Sequence, residues 1–184
     1  LLAIPSGIKP AVILPPPRDV PLRRIDRLMA FSDKLDHGHR VRIHGVVTHV
    51  QPGEAIWLEW EGSGIRVNVE DSKGYALGEE VEVLGFPVRR QNYSPEMEDV
   101  VITRISSGSP RKALALGSSS AALAHDAGLI TLEAKVVEIM RVPRGLRFVL
   151  RDHQRDFIAH LDQAPAAEGH GWQTGSLVRA TGIC

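Results

Sequence analysis

The sequence is poor in cysteine and aromatic residues, and neither sign of charge is in excess. The only cysteine is Cys184, so no internal disulfide can form. Lys+Arg and Asp+Glu both number 22, which leaves no net charge to attract a polyanion over long range. No apolar stretch reaches the roughly 18–20 residues that a membrane-spanning helix needs. Because the chain also lacks an initiator Met, we expect a soluble piece of a longer protein.

Motifs for catalysis and for metal or cofactor binding are also missing. There is no Gly-x-Ser-x-Gly elbow, no P-loop and no Gly-x-Gly-x-x-Gly after a strand. The eight histidines show neither an i, i+4 helical spacing nor a Cys/His pattern, and His37 and His39 are interpreted as solvated loop residues. We therefore predict no enzymatic activity, no catalytic residues, no metal and no cofactor.

What the chain does contain is an internal repeat. Sliding the sequence over itself by 89 positions brings apolar residues and glycines into phase, with a few insertions later on. The matched segments are residues 11–14 with 100–103, 40–47 with 129–136, 56–58 with 148–150, and 78–85 with 175–182. The repeat predicts one supersecondary unit built twice.

Each copy has the pattern of short β-strands. Val41, Ile43, Gly45 and Val47 alternate with the polar Arg42, His44 and Thr48, which indicates a half-buried strand. Turn signals follow at residues 52–53, 62–64, 73–74 and 142–145. We predict an all-β fold of two tandem five-stranded barrels of oligonucleotide/oligosaccharide-binding (OB) type, each preceded by a short linker helix within residues 21–35 or 110–125.

The repeat also divides the chain. Residues 1–19 are interpreted as the closing strand of a preceding copy plus a linker, residues 20–109 as the first OB-like domain with its leading helix, and residues 110–184 as the second domain. The second domain lacks its own last strand, and an open sheet edge leaves backbone groups unpaired. Our hypothesis is that residues 8–14 supply that strand, in the same molecule or in a neighbour, which would allow a homo-oligomer.

Residues 40–48, 57–59, 62–67, 78–86, 93–102 and 175–184 together resemble a known family. The pattern is similar to the tandem OB-type repeats in the extracytoplasmic region of bacterial histidine kinases and diguanylate cyclases. The resemblance implies a non-catalytic sensory region that binds a small ligand or a protein. It also implies a periplasmic location in a membrane-anchored protein, with membrane contact only through segments outside this chain. One departure is Trp60, where the family has an acidic residue that the second copy keeps as Asp152.

A ligand site is predicted on the first barrel, where OB folds stack bases or sugar rings. Trp57 is out of phase with its apolar neighbours and should face solvent. The candidate ligand-binding residues are Trp57, Trp60, Arg42, Arg66, Tyr75, Arg89 and Tyr93. Alternatively, one tryptophan caps the barrel and the other packs on the linker helix. Phe148 and Phe157 are expected in the core, so the second barrel offers no equivalent platform.

Two other functions remain open at this point. One is a module that binds single-stranded nucleic acid, and the other is a carbohydrate or cell-wall binding module that uses the same aromatic residues. Glutamates in the first copy are about as numerous as the arginines and largely cancel them, so we rank nucleic acid below a small ligand or a protein as partner. Salt-sensitive binding would distinguish the nucleic-acid module from the carbohydrate module.

Overall fold

Two β-sheets, one from each copy of the repeat, make up the fold. A computed structural model describes residues 19–28, 40–72, 74–89, 95–153, 155–162 and 171–184. The strands are β1 Val41–Gln51, β2 Ala55–Trp60, β3 Ser63–Asn68, β4 Glu80–Arg89, β5 Pro95–Ser106, β6 Leu114–Ala115, β7 Leu129–Val142, β8 Gly145–Arg151, β9 Asp156–Asp162 and β10 Leu177–Ile183. The helical segments are a 3-10 turn at Ile25–Arg27 and α1 at Ser119–Ala122. The predicted all-β, OB-like fold is confirmed.

The first sheet is a closed barrel in the order β1-β2-β3-β5-β4. Its last strand, β5, lies between β3, with which it pairs in parallel, and β4, with which it pairs antiparallel. The inward side chains lose all contact with water: Ile43, Val47, Ile56, Leu58, Ile65, Val67, Val81, Val83 and Met97 are each 0 % exposed. Burying one such side chain contributes about 1.5–3 kcal/mol, so these residues hold the barrel together.

The second sheet has the order β10-β7-β8-β9, with the short β6 paired to β7 as a fifth strand. Its core contains Ile130, Leu132, Ala134, Val136, Leu146, Phe148 and Leu150. Among the described residues no strand joins β9 to β10, so this sheet is open where β5 closes the first one. Residues 8–14, which we expect to supply a strand there, lie outside the described part of the chain.

The two sheets share fine detail that supports the predicted alignment. β1 has a bulge after Val47 and β7 has one after Val136, its match in the repeat. The Gly78 N–H donates to the Val47 carbonyl at 2.8 Å, and the Gly175 N–H donates to the Val136 carbonyl at 2.8 Å. The second copy is longer only at the tip of the β7–β8 hairpin and in the connection from β9 to β10.

The leading segments are also equivalent. The Arg23 N–H donates to the Arg42 carbonyl at 2.7 Å, and the Leu116 N–H donates to the Thr131 carbonyl at 2.9 Å, so each segment lies along the first strand of its sheet. A short helix follows each contact, as predicted, but it is only one turn long. In the second copy, glycine and a run of serines before and within the helix are poor helix formers. Neither described helix is long and apolar enough to cross a membrane.

The bulge in β1 changes one predicted orientation. Thr48 was expected on the polar face with Arg42 and His44, but it is 4 % exposed and its hydroxyl donates to the Trp57 carbonyl at 3.3 Å. The extra residue at the bulge interrupts the two-residue period, so residues beyond Val47 change sides.

Candidate functional site

One side chain from each of three neighbouring strands forms a row on the outside of the first barrel. His49 of β1 lies opposite Trp57 of β2, and Trp57 lies opposite Arg66 of β3. The His49 and Trp57 rings have centroids 5.2 Å apart, and the Arg66 guanidinium carbon lies 5.4 Å from the Trp57 ring centroid. Trp57 faces outward because Ile56 and Leu58 beside it point into the core. We call these three residues the Trp57 row.

The imidazole of His49 is partly removed from water by its neighbours. This burial lowers the pKa of His49 below its usual value, while the nearby carboxylate of Asp162 opposes the shift. His49 is therefore neutral at pH 7 and presents an uncharged aromatic face beside Trp57. The row at neutral pH consists of two aromatic rings and one cation.

Arg66 has a carboxylate partner, but not all of its N–H donors are engaged. Its Nη1 lies 3.7 Å from Oε1 of Glu96, and Oε2 of the same carboxylate accepts a hydrogen bond from the Asn68 amide at 2.8 Å. Its Nε is buried and makes no hydrogen bond. A guanidinium has five N–H donors, so Arg66 keeps donors for a ligand that lies against Trp57.

The second sheet meets the first barrel beside this row. The Gln51 amide donates to the Asp162 carboxylate at 2.9 Å, and Arg144 forms an ion pair with Glu54. Asp162 is the last residue of β9. On the same face of that sheet, two residues further along, Arg147 of β8 lies opposite His160 of β9. Arg147 makes no ion pair with another described residue.

The other predicted site residues do not join the row. Trp60 packs against the first core, with its ring 4.1 Å from that of His44. Arg42 faces out near β4, where Glu82 lies 3.6 Å away. Arg89 is exposed at the end of β4. Trp57 faces outward, as its phase predicts. Trp60 packs against a core cluster that includes Ile25 and Leu28 of the leading segment, which fits the alternative that one tryptophan packs on the linker helix.

Tyr75 belongs to a different place on the barrel, and Tyr93 lies outside the described residues. Arg104 stacks over the Tyr75 ring at 5.0 Å. Tyr75 lines a cleft of about 650 Å³ whose acidic lining residues are Glu54, Glu70, Asp71, Glu98 and Asp99. So many carboxylates repel phosphate.

Charge is unevenly divided between the two copies. Residues 20–109 contain 11 Lys/Arg and 14 Asp/Glu, whereas residues 110–184 contain 9 and 7. The net charge of the whole chain is zero, but the second copy taken alone is slightly basic. The local pattern did not indicate His49, Asp162 or Arg147, because the bulge in β1 turns His49 outward beside Trp57 and the packing of the second sheet brings Asp162 and Arg147 to this side of the barrel.

The second sheet has no counterpart of the row, as predicted. At the positions of His49, Trp57 and Arg66, the second sheet has Glu138, Val149 and Ile158. Phe148 is 8 % exposed within the second core, and Phe157 packs against that core. Among the described residues no group of three His, Cys, Asp or Glu side chains is placed to hold a metal ion.

Comparison with known proteins gives similarity in solved structures alone. No family model and no curated protein matches the chain. A murine DNA-binding protein bound to double-stranded DNA is 11 % identical, with 65 % of this chain and 72 % of that chain covered and a TM-score of 0.38. The HINa domain of Ifi202 in complex with 20-bp double-stranded DNA is 13 % identical, with coverages of 66 % and 73 % and a TM-score of 0.36. A third structure, described as the molecular basis for abrogation of activation of pro-inflammatory cytokines, is 12 % identical, with coverages of 82 % and 85 % and a TM-score of 0.39.

These findings correct the resemblance drawn from the sequence. The solved structures of known ligand are DNA complexes and not bacterial sensor regions, so the resemblance to histidine kinase and diguanylate cyclase sensors is wrong. The sensory function in signal transduction and the periplasmic location depended on that resemblance and are wrong with it. OB-type strand patterns recur in proteins of unrelated function, which explains how the pattern misled.

Proposed function

We propose that this chain is a non-catalytic nucleic-acid-binding module and that the Trp57 row is its contact surface. The observation that carries the proposal is the alignment of His49, Trp57 and Arg66 across β1, β2 and β3. This is the face on which OB barrels stack the bases of single strands. No comparable row exists on the described part of the second sheet.

The chemistry of the row suits an unpaired base. A base stacks on the outward face of the Trp57 ring, and stacking on an aromatic side chain contributes about 1–3 kcal/mol per base. The Arg66 guanidinium lies over the same ring system and adds a planar cation whose remaining N–H groups can donate to a base edge or a phosphate. His49 extends the aromatic surface on the other side of Trp57.

The backbone of such a strand needs cations, and the second copy supplies them. Arg147 lies two residues beyond the contact between the sheets, where it and His160 face each other. On the side of β3 and β5, the cleft carboxylates of Glu70, Asp71, Glu98 and Asp99 repel phosphate. We therefore expect the strand to run from Arg66 across Trp57 toward Arg147, with modest affinity because few phosphates are neutralised.

Fluorescence anisotropy of labelled DNA tests the proposal. A 20-nucleotide single strand and a 20-bp duplex are compared, because duplex DNA is the ligand in two of the structures described above. We expect the single strand to bind more tightly than the duplex, and binding to weaken as salt is raised. Trp57→Ala should weaken single-strand binding roughly 5- to 150-fold, the equivalent of about 1–3 kcal/mol.

Two variants are matched controls. Arg104→Ala removes an arginine that also stacks on an aromatic ring, but on the acidic cleft, and should leave affinity unchanged, whereas Arg66→Ala should lower it. Val149→Ala changes the residue equivalent to Trp57 in the second sheet and should also have no effect. Equal affinity of wild type and Trp57→Ala at low salt, with both proteins folded, would contradict the proposal.

A second candidate is a carbohydrate ligand, favoured by the acids and amides around Trp57. Asn68 and Glu96 lie beside Arg66, and Glu59 of β2 is on the same face as Trp57. A sugar ring can stack on tryptophan while such groups accept and donate hydrogen bonds. Binding of a glycan that Trp57→Ala abolishes and that salt does not change would support this candidate over nucleic acid.

A further inference from the structure

The open side of the second sheet is a site for one more β-strand. β9 and β10 are each seven residues long, and among the described residues neither has a partner on its outer edge. Neither strand contains lysine or proline, which natural sheets use to protect exposed edges from pairing. The two edges correspond to the positions of β3 and β4, between which β5 lies in the first barrel.

Burial shows how much the second sheet lacks. In the first barrel, the inward residues of the two strands beside β5 are 0 % exposed, namely Ile65, Val67, Val81 and Val83. Their equivalents Phe157, Ala159, Val178 and Ala180 are only partly buried. Inward residues of β7 and β8, away from the opening, reach 1–8 % exposure. Apart from Ile139 near the end of β7, the deficit therefore lies on the two strands that a closing strand would cover.

We propose that residues 8–14 of this chain occupy the opening. At the repeat offset, residues 11–14 match residues 100–103 of β5. Val100 and Ile102 of β5 pack against the first core, while Val101 is 56 % exposed. The same alternation places Ala11 and Ile13 inward and Val12 outward. At the same offset Ile8 matches Met97, the fully buried residue of β5.

The register follows from the first barrel. There Leu84 of β4 pairs with Val101 of β5. Because Leu84 matches Thr181 in the repeat, Val12 is expected to lie opposite Thr181 of β10. Pro10 takes the place of Asp99, whose φ of 48° is closed to proline. Pro15 has no N–H to donate, so ladder pairing should span residues 11–14 and omit the bulge at Asp99.

Disulfide trapping tests the register directly. Residues opposite each other in an antiparallel pair have Cα atoms about 4.5–5.5 Å apart, which a disulfide can bridge. In a Cys184→Ser background, Val12→Cys with Thr181→Cys should cross-link on mild oxidation. The matched control is Val12→Cys with Thr131→Cys, because Thr131 lies opposite Thr181 but one strand further from the opening. That pair should remain reduced.

The size of the cross-linked band on a gel shows whether residues 8–14 come from the same chain or from a second copy. A cross-link within the monomer places the segment of the same chain in the opening, and a cross-linked dimer places that of a second copy there. Either result supports the proposal. No cross-link of Val12 with Thr181 above that of the Thr131 control overturns it.

A second measurement does not depend on engineered cysteines. Ile13→Asp puts a charge on the side expected to face the core, whereas Val12→Asp puts the same charge on the outer side. Ile13→Asp should lower the thermal midpoint of the chain and speed amide exchange in β9 and β10, and Val12→Asp should do neither. Equal behaviour of the two variants overturns the proposal, whatever the outcome of the DNA-binding assay.

Discussion

The two sheets follow one plan, down to the same bulge and the same glycine hydrogen bond, and they differ in closure and in surface. The first barrel is closed by β5, and its inward residues are shielded on every strand. The second sheet has equivalent strands but no closing strand among the described residues, and its inward residues on β9 and β10 stay partly exposed. The comparison teaches that four strands are enough to gather the apolar side chains into a core, and that the last strand is needed to shield this core fully from water.

The surfaces differ independently of closure. The positions held by His49, Trp57 and Arg66 in the first barrel are held by Glu138, Val149 and Ile158 in the second sheet. Duplication thus kept the inward residues apolar in both copies while the outward residues diverged. We interpret the first copy as the one specialised for contact with a ligand, and the second as a partner that supplies cations and support.

The largest expected effect compares matched core leucines. Leu58 and Leu150 are equivalent and 0 % and 2 % exposed. In a chain lacking residues 1–14, Leu58→Ala should lower the free energy of unfolding by about 3–5 kcal/mol, because the closed barrel cannot relax around the cavity. Leu150→Ala should cost nearer about 2 kcal/mol, because the open sheet can collapse.

Urea unfolding followed by tryptophan fluorescence measures both values. Restoring residues 1–14 should raise the loss for Leu150→Ala toward that for Leu58→Ala if these residues close the second sheet. Equal losses in the shortened chain would show that openness does not loosen the second core.

The next effect compares two equivalent glycines. Gly78 and Gly175 have φ values of 89° and 95°, which strain any L-residue. A Cβ at Gly78 would lie 2.4 Å from the Ser109 carbonyl carbon, whereas a Cβ at Gly175 would meet nothing within 4 Å. Gly175→Ala should therefore destabilise by about 1 kcal/mol through strain alone. Gly78→Ala should destabilise by more and also displace residues 109–110, and thermal unfolding of the two variants measures the difference.

A smaller effect concerns the turn where the copies diverge. Asp152, 8 % exposed, accepts hydrogen bonds from the backbone N–H of Arg155 at 2.9 Å and from that of Ser119 at the start of α1. The equivalent turn of the first barrel has Trp60 packed on the core instead. Asp152→Ala should destabilise by about 1–2 kcal/mol. The nearby exposed Asp156→Asn, which loses only a surface pair with Arg151, should change thermal stability little.

The smallest effect is the titration of His49. Its pKa lies below the usual value because of burial, so the folded chain takes up this proton at lower pH than the unfolded chain. The contribution to stability is complete above the unfolded pKa and falls as pH drops through the window down to the folded pKa. An NMR titration of the His49 ring should show the lowered midpoint, and Trp57→Ala should raise it. If the His49 midpoint did not move in Trp57→Ala, the Trp57 ring would not be the group that shields the His49 imidazole from water.

Much of the fold follows from local pattern, whereas the site does not. Alternation in β1 and the turn signals after it predicted short strands, and the repeat, which includes the glycines at 78 and 175, predicted that the strands recur in the second copy, because period and turn chemistry are written in neighbouring residues. Thr48 was placed on the wrong face, because a bulge is decided by the partner strand. Trp57 was assigned to solvent from its phase alone. His49 faces outward beside Trp57 because of the same bulge, and Asp162 reaches this place through the packing of the second sheet, so neither follows from the local pattern.

The extra length of the second copy lies in the β7–β8 hairpin, whose strands have 14 and 7 residues against 11 and 6 in β1 and β2, and in the connection from β9 to β10. The fold therefore tolerates added residues at both places. These are the places for an epitope tag or a fluorophore-bearing peptide. Of the two, the connection from β9 to β10 is the better choice, because the β7–β8 tip carries the Arg144 contact with the first barrel.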